Sequence, residues 1–141
     1  MSDFLELQAI QQLGRTYRSL MSAFEAELGH SMARWRILLT LHQSGELSQK
    51  QLARTLFMDP AALTRQIKTI ETQGWITRRS DADDNRLTNV ALTPAGQDLV
   101  TQCMPRRTAF IKNAFVDLSA AEIKALEAML HTVDQRLKRM P

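Results

Sequence analysis

DPAALTRQIKTIETQG, residues 59–74, reads as one helix carrying its own start and stop signals. Asp59 can accept from the first free N–H groups, and Pro60 occupies the first helical position, where a missing N–H costs least. Gly74 supplies the left-handed residue that commonly ends a helix. At about 100° per residue, Leu63, Ile67, Ile70 and Gly74 fall on one side. Ala61, Arg65, Lys68, Thr69 and Thr72 fall roughly opposite, with Thr64 on the flank. One face therefore suits a core. The other carries cations, hydroxyls and methyls, as a helix in a DNA major groove requires, where basic groups meet phosphates and short side chains reach base edges. An ordinary amphipathic surface helix has the same pattern, so the flanking sequence must decide.

Upstream, Ser48 and Gln51 form an S-x-x-Q capping box for a short helix from Gln49 to Leu56, with Leu52, Ala53 and Leu56 apolar. Only Phe57 to Asp59 separate it from the next helix, which is the spacing of a helix-turn-helix. Downstream, Trp75–Arg79 and Leu87–Leu92 are rich in β-branched and aromatic residues and flank the polar turn 80–86, so they predict a β-hairpin, or wing. Leu47 can add a short third strand.

Residues 3–28 predict a long helix with Ile10, Leu13, Tyr17, Leu20, Met21, Phe24 and Leu28 at helical spacing, ended by Gly29. So long a stripe calls for a partner helix, which another subunit can supply. Ser31 can cap a second helix reaching about His42. Thr93-Pro94 opens a helix to about Val116, inside which Pro105 should kink or interrupt the chain near Met104. Ser119 with Glu122 is a second capping box, and Ile123, Leu126, Met129, Leu130, Val133 and Leu137 form the last apolar stripe. The fold class is mainly α with a small β-hairpin wing.

The 141 residues, 44% hydrophobic and 23% charged, fit one globular chain with a net charge of +3. Residues 1–33 contribute −2, residues 34–92 +3 and residues 93–141 +2. Within 60–79, Arg65, Lys68, Arg78 and Arg79 face only Glu71, a basic centre of the kind that meets nucleic acid. The single cysteine, Cys103, excludes an internal disulfide and fits a reducing compartment. No signal-peptide pattern or membrane span is present, so a cytoplasmic location is expected. His30, His42 and His131 are too scattered for a metal site, no cofactor motif occurs, and nothing resembles a catalytic constellation. Trp35 and Trp75 read as core.

With its elements in this order the sequence resembles the MarR family of winged-helix transcriptional regulators. Leu47 to Ala53 is similar to that family's third helix. Leu63-Thr-Arg65 with Ile70-Glu71-x-x-Gly74-Trp-Ile76 is similar to its recognition helix and exit. Asp84-x-Arg86 and Val90-x-Leu92-Thr93-x-x-Gly96 are similar to its wing. The resemblance implies a homodimer built from 1–30 and 94–141, with a DNA-binding lobe over 31–93 and a pseudo-palindromic double-stranded operator as target. Arg65 would work in the major groove beside Pro60, Ala61, Thr64 and Lys68, with Ser48 and Gln49 from the preceding helix and Arg78 at phosphates. Arg86 would enter the minor groove, where narrow A·T-rich DNA attracts guanidinium, held in place by Asp84. The family often carries a second arginine in its wing where this chain has Asn85, and Asp81, Asp83 and Asp84 crowd the same turn.

The resemblance also implies a repressor released by a small aromatic or phenolic effector, for which Arg15, Tyr17, Arg34 and Trp35 are the candidate pocket. Alternatives are an activator, an oxidant sensor, or a winged-helix module that binds protein instead of DNA. Against oxidant sensing, Cys103 lies in a late helix and reads as a packed, inert thiol.

Overall fold

The computed structural model describes residues 4–141. In chain order the elements are α1 (Leu5–Leu28), α2 (Met32–Ser44), β1 (Leu47–Ser48), α3 (Gln49–Leu56), α4 (Pro60–Thr72), β2 (Ile76–Ser80), β3 (Thr88–Leu92), α5 (Pro94–Ala114) and α6 (Ala120–Lys138). The start expected at residue 3 lies outside the described residues; α1 is preceded by Phe4 and ends at Gly29, whose φ is +76°. Local signals set most boundaries. Ser31 accepts from the Arg34 N–H at the head of α2, and the Ser48–Gln51 and Ser119–Glu122 capping boxes are both closed. Each satisfies two N–H groups that a helix start would otherwise leave bare.

The sheet is three-stranded and antiparallel in the order β1-β3-β2. Leu47 and Arg78 flank Val90 from its two sides, so the short β1 does join the wing's base. The strands run Ile76–Ser80 and Thr88–Leu92, each starting one residue later than the side-chain pattern suggests, and the first also ending one residue later. Trp75 is excluded because its N–H bonds back to the Ile70 carbonyl, which makes it part of the exit from α4.

Contacts divide the chain into two compact units, 1–106 and 107–141. This division follows packing, and it does not coincide with the separation by role expected at residues 30 and 94. In the first unit, Phe24 and Leu28 of α1, Trp35, Ile37, Leu38 and Leu41 of α2, Leu52 and Leu56 of α3, Leu63, Ile67 and Ile70 of α4, Ile76, Val90, Val100 and Cys103 are all buried. The second unit contains α6, none of whose residues is buried.

Of the kink or interruption expected at Pro105, the interruption does not occur: α5 is continuous from Pro94 to Ala114. Proline removes a single N–H, and a helix of this length keeps its ladder on both sides of the gap. Gly96 is fixed by close approach. A Cβ there would sit 2.1 Å from the Trp75 carbonyl oxygen. Thr93 ties the same corner: its N–H donates to Trp75 O, its hydroxyl donates to Gly74 O at 2.6 Å, and the Gly96 N–H donates to that hydroxyl at 3.0 Å. The Thr93-x-x-Gly96 pattern is thus the clamp that holds α5 against the exit of α4.

Candidate nucleic-acid interface

The two faces of α4 are separated as its periodicity requires. Leu63, Ile67 and Ile70 are almost completely buried, whereas Ala61, Arg65, Lys68, Thr69 and Thr72 are exposed. Asp59 caps the helix by accepting from the Ala62 N–H at 3.0 Å, and Pro60 stands at its first turn. The threonine hydroxyls donate back to carbonyls one turn earlier: Thr64 to Pro60, Thr69 to Arg65 and Thr72 to Lys68. Their methyls and the cations are left facing outward. Gln49 Nε2 donates to Thr64 Oγ1 at 3.3 Å, joining α3 to the start of α4.

At the tip of the wing Arg86 is held by Asp84 in three bonds. Its backbone N–H and Nε reach one carboxylate oxygen at 3.1 and 3.0 Å, and Nη2 reaches the other at 3.2 Å. The Arg86 side chain is nevertheless 90% exposed, so it is aimed without being covered. This bond is the main cause of an Asp84 carboxyl held below the usual carboxylate range. Asp81 also has a defined task. It accepts from Asn89 Nδ2 and from the backbone N–H groups of Asp83 and Asp84, and the Asn89 bond is the largest cause of its lowered pKa. Two of the three acids in the turn are therefore structural.

Two of the expected contact residues also have partners within the chain. Ser48 is buried, and its hydroxyl caps α3 by accepting from the Gln51 N–H. Arg78 makes a bidentate pair with Glu71, its Nε and Nη2 at 3.2 and 2.9 Å, which fastens β2 to the end of α4. Arg79 likewise pairs with Glu46 at 2.8 Å. Pro60, Ala61, Gln49, Thr64, Arg65 and Lys68 stand together at and around α4.

The proposed effector residues are not brought together within one chain. Arg34 is half-buried and Trp35 buried on α2, whereas Arg15 and Tyr17 are exposed on α1. Tyr17 lies about 17 Å along the helix from Leu28 at 1.5 Å per residue. The residue missed in the sequence is His30. Its ring meets that of Trp75 edge-on at 5.2 Å, and its Nδ1, like Arg34 Nε, is buried without a hydrogen-bond partner. Burial first, then Arg34 and Arg106, lower its pKa. Nothing local in the sequence signals this, because Trp75 and Arg106 are brought to His30 only by folding. Lys50 and Arg54, exposed on α3, were legible as an i, i+4 pair but carried no motif.

A sequence profile described as the MarR family matches residues 30–88. The "Uncharacterized HTH-type transcriptional regulator YdgJ" of Bacillus subtilis is 32% identical over 121 residues, 86% of this chain and 74% of its own length. The chain belongs to the MarR family. It is a DNA-binding transcription regulator with no sign of an enzyme's role in its relatives. Two solved structures share the fold. A cysteine-to-serine mutant of Escherichia coli MarR, complexed with operator DNA, superposes with a TM-score of 0.83 at 23% identity, over 94% of this chain and 99% of the other. Bordetella bronchiseptica BpsR, whose DNA binding is described as regulated by 6-hydroxynicotinic acid, gives 0.80 at 23% identity, over 90% and 98%. Among the described residues no helix is long and apolar enough to cross a membrane.

Proposed function

We propose that this MarR-family chain is a homodimeric repressor that reads a pseudo-palindromic operator and is released by a small aromatic or phenolic acid. The observation carrying the reading is the exposed cationic face of α4, backed by buried Leu63, Ile67 and Ile70, beside a wing whose Arg86 is held outward by Asp84. Arg65 is the base-reading residue, with Lys68 at phosphates and Arg86 in the minor groove. Dimerisation is supported by the exposed apolar stripe of Ile10, Leu13, Tyr17 and Leu20 on α1, which water alone leaves unsatisfied.

The effector site takes its support from the cations on the α1–α2 side of the lobe. His30 and Arg34 have unpartnered buried nitrogens, and Arg106 donates to the Glu27 carbonyl nearby. A carboxylate suits these groups, and the Trp75 ring suits an aromatic body. BpsR, with its 6-hydroxynicotinic acid, is a precedent of that chemistry. Arg15 and Tyr17 could join this site only from a second copy.

The test is titration of a selected operator duplex with wild type and Arg65→Ala at physiological salt. Arg65→Ala should cost about 1–3 kcal/mol at that site and relax preference at one base pair. Undiminished, equally selective binding by the variant would remove Arg65 from the reading head.

A further inference from the structure

Between α3 and α4 lies a groove of about 450 Å³. Its lining includes Ala53, Met58, Pro60 and Leu63, and on the α3 side stand Lys50 and Arg54, one helical turn apart. Lys50 and Arg54 are both exposed, and among the described residues neither forms an ion pair. Lys50 acts on Asp84 of the wing only through its field. The groove is continuous with the reading helix: Pro60 and Thr64 of α4 line it, and Gln49 bridges to Thr64.

We infer that this groove seats the sugar–phosphate backbone of the operator strand bordering the major groove, with Lys50 and Arg54 as its phosphate clamp. The inference rests on α4 being the DNA-facing helix. Three features select the backbone over a base edge. Lys50 and Arg54 stand on α3, off the face of α4 that carries Arg65, where a cation meets the backbone that borders the major groove. The apolar lining matches the C–H surface of deoxyribose. The charged side chains lining the groove are both cations, and of the nearby acids Glu71 is taken by Arg78 and Asp84 by Arg86. Lys50 would then stand between the two DNA-contacting parts, α4 and the wing, and offset the acids of the turn. The single-arginine wing thereby regains, on α3, the cation it lacks at position 85.

The experiment measures the affinity of full-length wild type, Lys50→Ala, Arg54→Ala and the double variant across a salt series. Two duplexes are used: the operator selected from a random-sequence pool, and a scrambled duplex of equal length. Each lost phosphate contact should lower the slope of log Kobs against log salt by about 0.9 per bound protomer. It should weaken binding about fivefold per protomer at 0.15 M salt, equally on both duplexes. Lys50→Arg and Arg54→Lys should keep the slope, and circular dichroism should match wild type throughout. An unchanged slope in the folded double variant would overturn the clamp. So would a change confined to the operator, which means base reading, or a change only in the response to added salicylate, which means an effector groove. Arg65→Ala runs in parallel: loss of selectivity there with no effect of the double variant sinks the clamp alone, whereas intact selectivity sinks the orientation of α4 on which it rests.

Discussion

Phe57 ends α3 in the left-handed region at φ +53°, the one non-glycine residue with positive φ among those described, and its side chain is 95% exposed. The turn into α4 demands this conformation: the Phe57 N–H closes onto Arg54 O and the Met58 N–H onto Ala53 O, which ends α3 in time for Asp59 to cap the next helix. A Cβ in that region crowds the following carbonyl, and the ring gains no burial in return. Phe57→Gly should therefore raise stability by about 1 kcal/mol in urea melts at fixed protein concentration. A destabilised variant would mean that the ring has a contact in the assembled protein. His30 offers a second single-residue test. Burial and the guanidinium groups of Arg34 and Arg106 disfavour its charged form, so its folded pKa lies below that of the unfolded chain. Stability is then full above about pH 6.5 and falls as pH drops through that value toward the lowered one, because the unfolded chain takes up the proton first. Thermal melts from pH 7.5 to 5 should show this decline in wild type and a smaller one in His30→Gln. Equal declines would assign the acid sensitivity to other groups.

At the scale of elements, the corner joining α4, β2 and α5 ties the exit of α4 to the start of α5. Trp75 O, Gly74 O, Thr93 and Gly96 form one connected set there, and Gly96 has no room for a methyl. Gly96→Ala must push α5 away from the backbone of Trp75, at a cost of about 3 kcal/mol. A denaturant melt within error of wild type would show that the corner yields more easily than its geometry implies. The same corner shows what was legible in the sequence. Helix identity came from local chemistry, so Ser31, the two capping boxes, Pro60 and Gly74 mark boundaries correctly within a residue or two. The hairpin was equally plain from its β-branched runs. What escaped was chemistry created by distant partners. Arg78 read as a phosphate contact, and its bidentate pair with Glu71 through Nε and Nη2 arises only when folding brings β2 beside the end of α4. Pro105 removes one N–H without ending its helix, because α5 is long enough to carry its ladder past the gap.

At the scale of the whole molecule, the contacts proposed for one copy are few: Arg65 and Lys68 on α4, Arg86 on the wing and the Lys50–Arg54 pair on α3, in a chain whose net charge is only +3. Two copies whose reading helices enter successive major grooves, about 10 base pairs apart, double these contacts and bind with an effective concentration that a lone lobe lacks. The surfaces available for pairing are apolar and outward: Ile10, Leu13, Tyr17 and Leu20 on α1, and, within the second unit, Met129, Leu130, Val133 and Leu137 on α6. Because these side chains are already exposed in the single chain, charging two of them should leave its own fold nearly unaffected, yet it would place carboxylates in any interface built from the stripes. Leu13→Glu with Leu130→Glu should therefore sediment at 16.0 kDa where wild type gives twice that mass. Its operator affinity should fall roughly a hundredfold, with protection reduced to one half-site. A variant that stays dimeric and keeps the full footprint would place the interface on other residues. A wild type that is monomeric at micromolar concentration, yet binds its operator tightly, would mean that one winged lobe suffices and that the few cations on α4 and the wing hold DNA unaided.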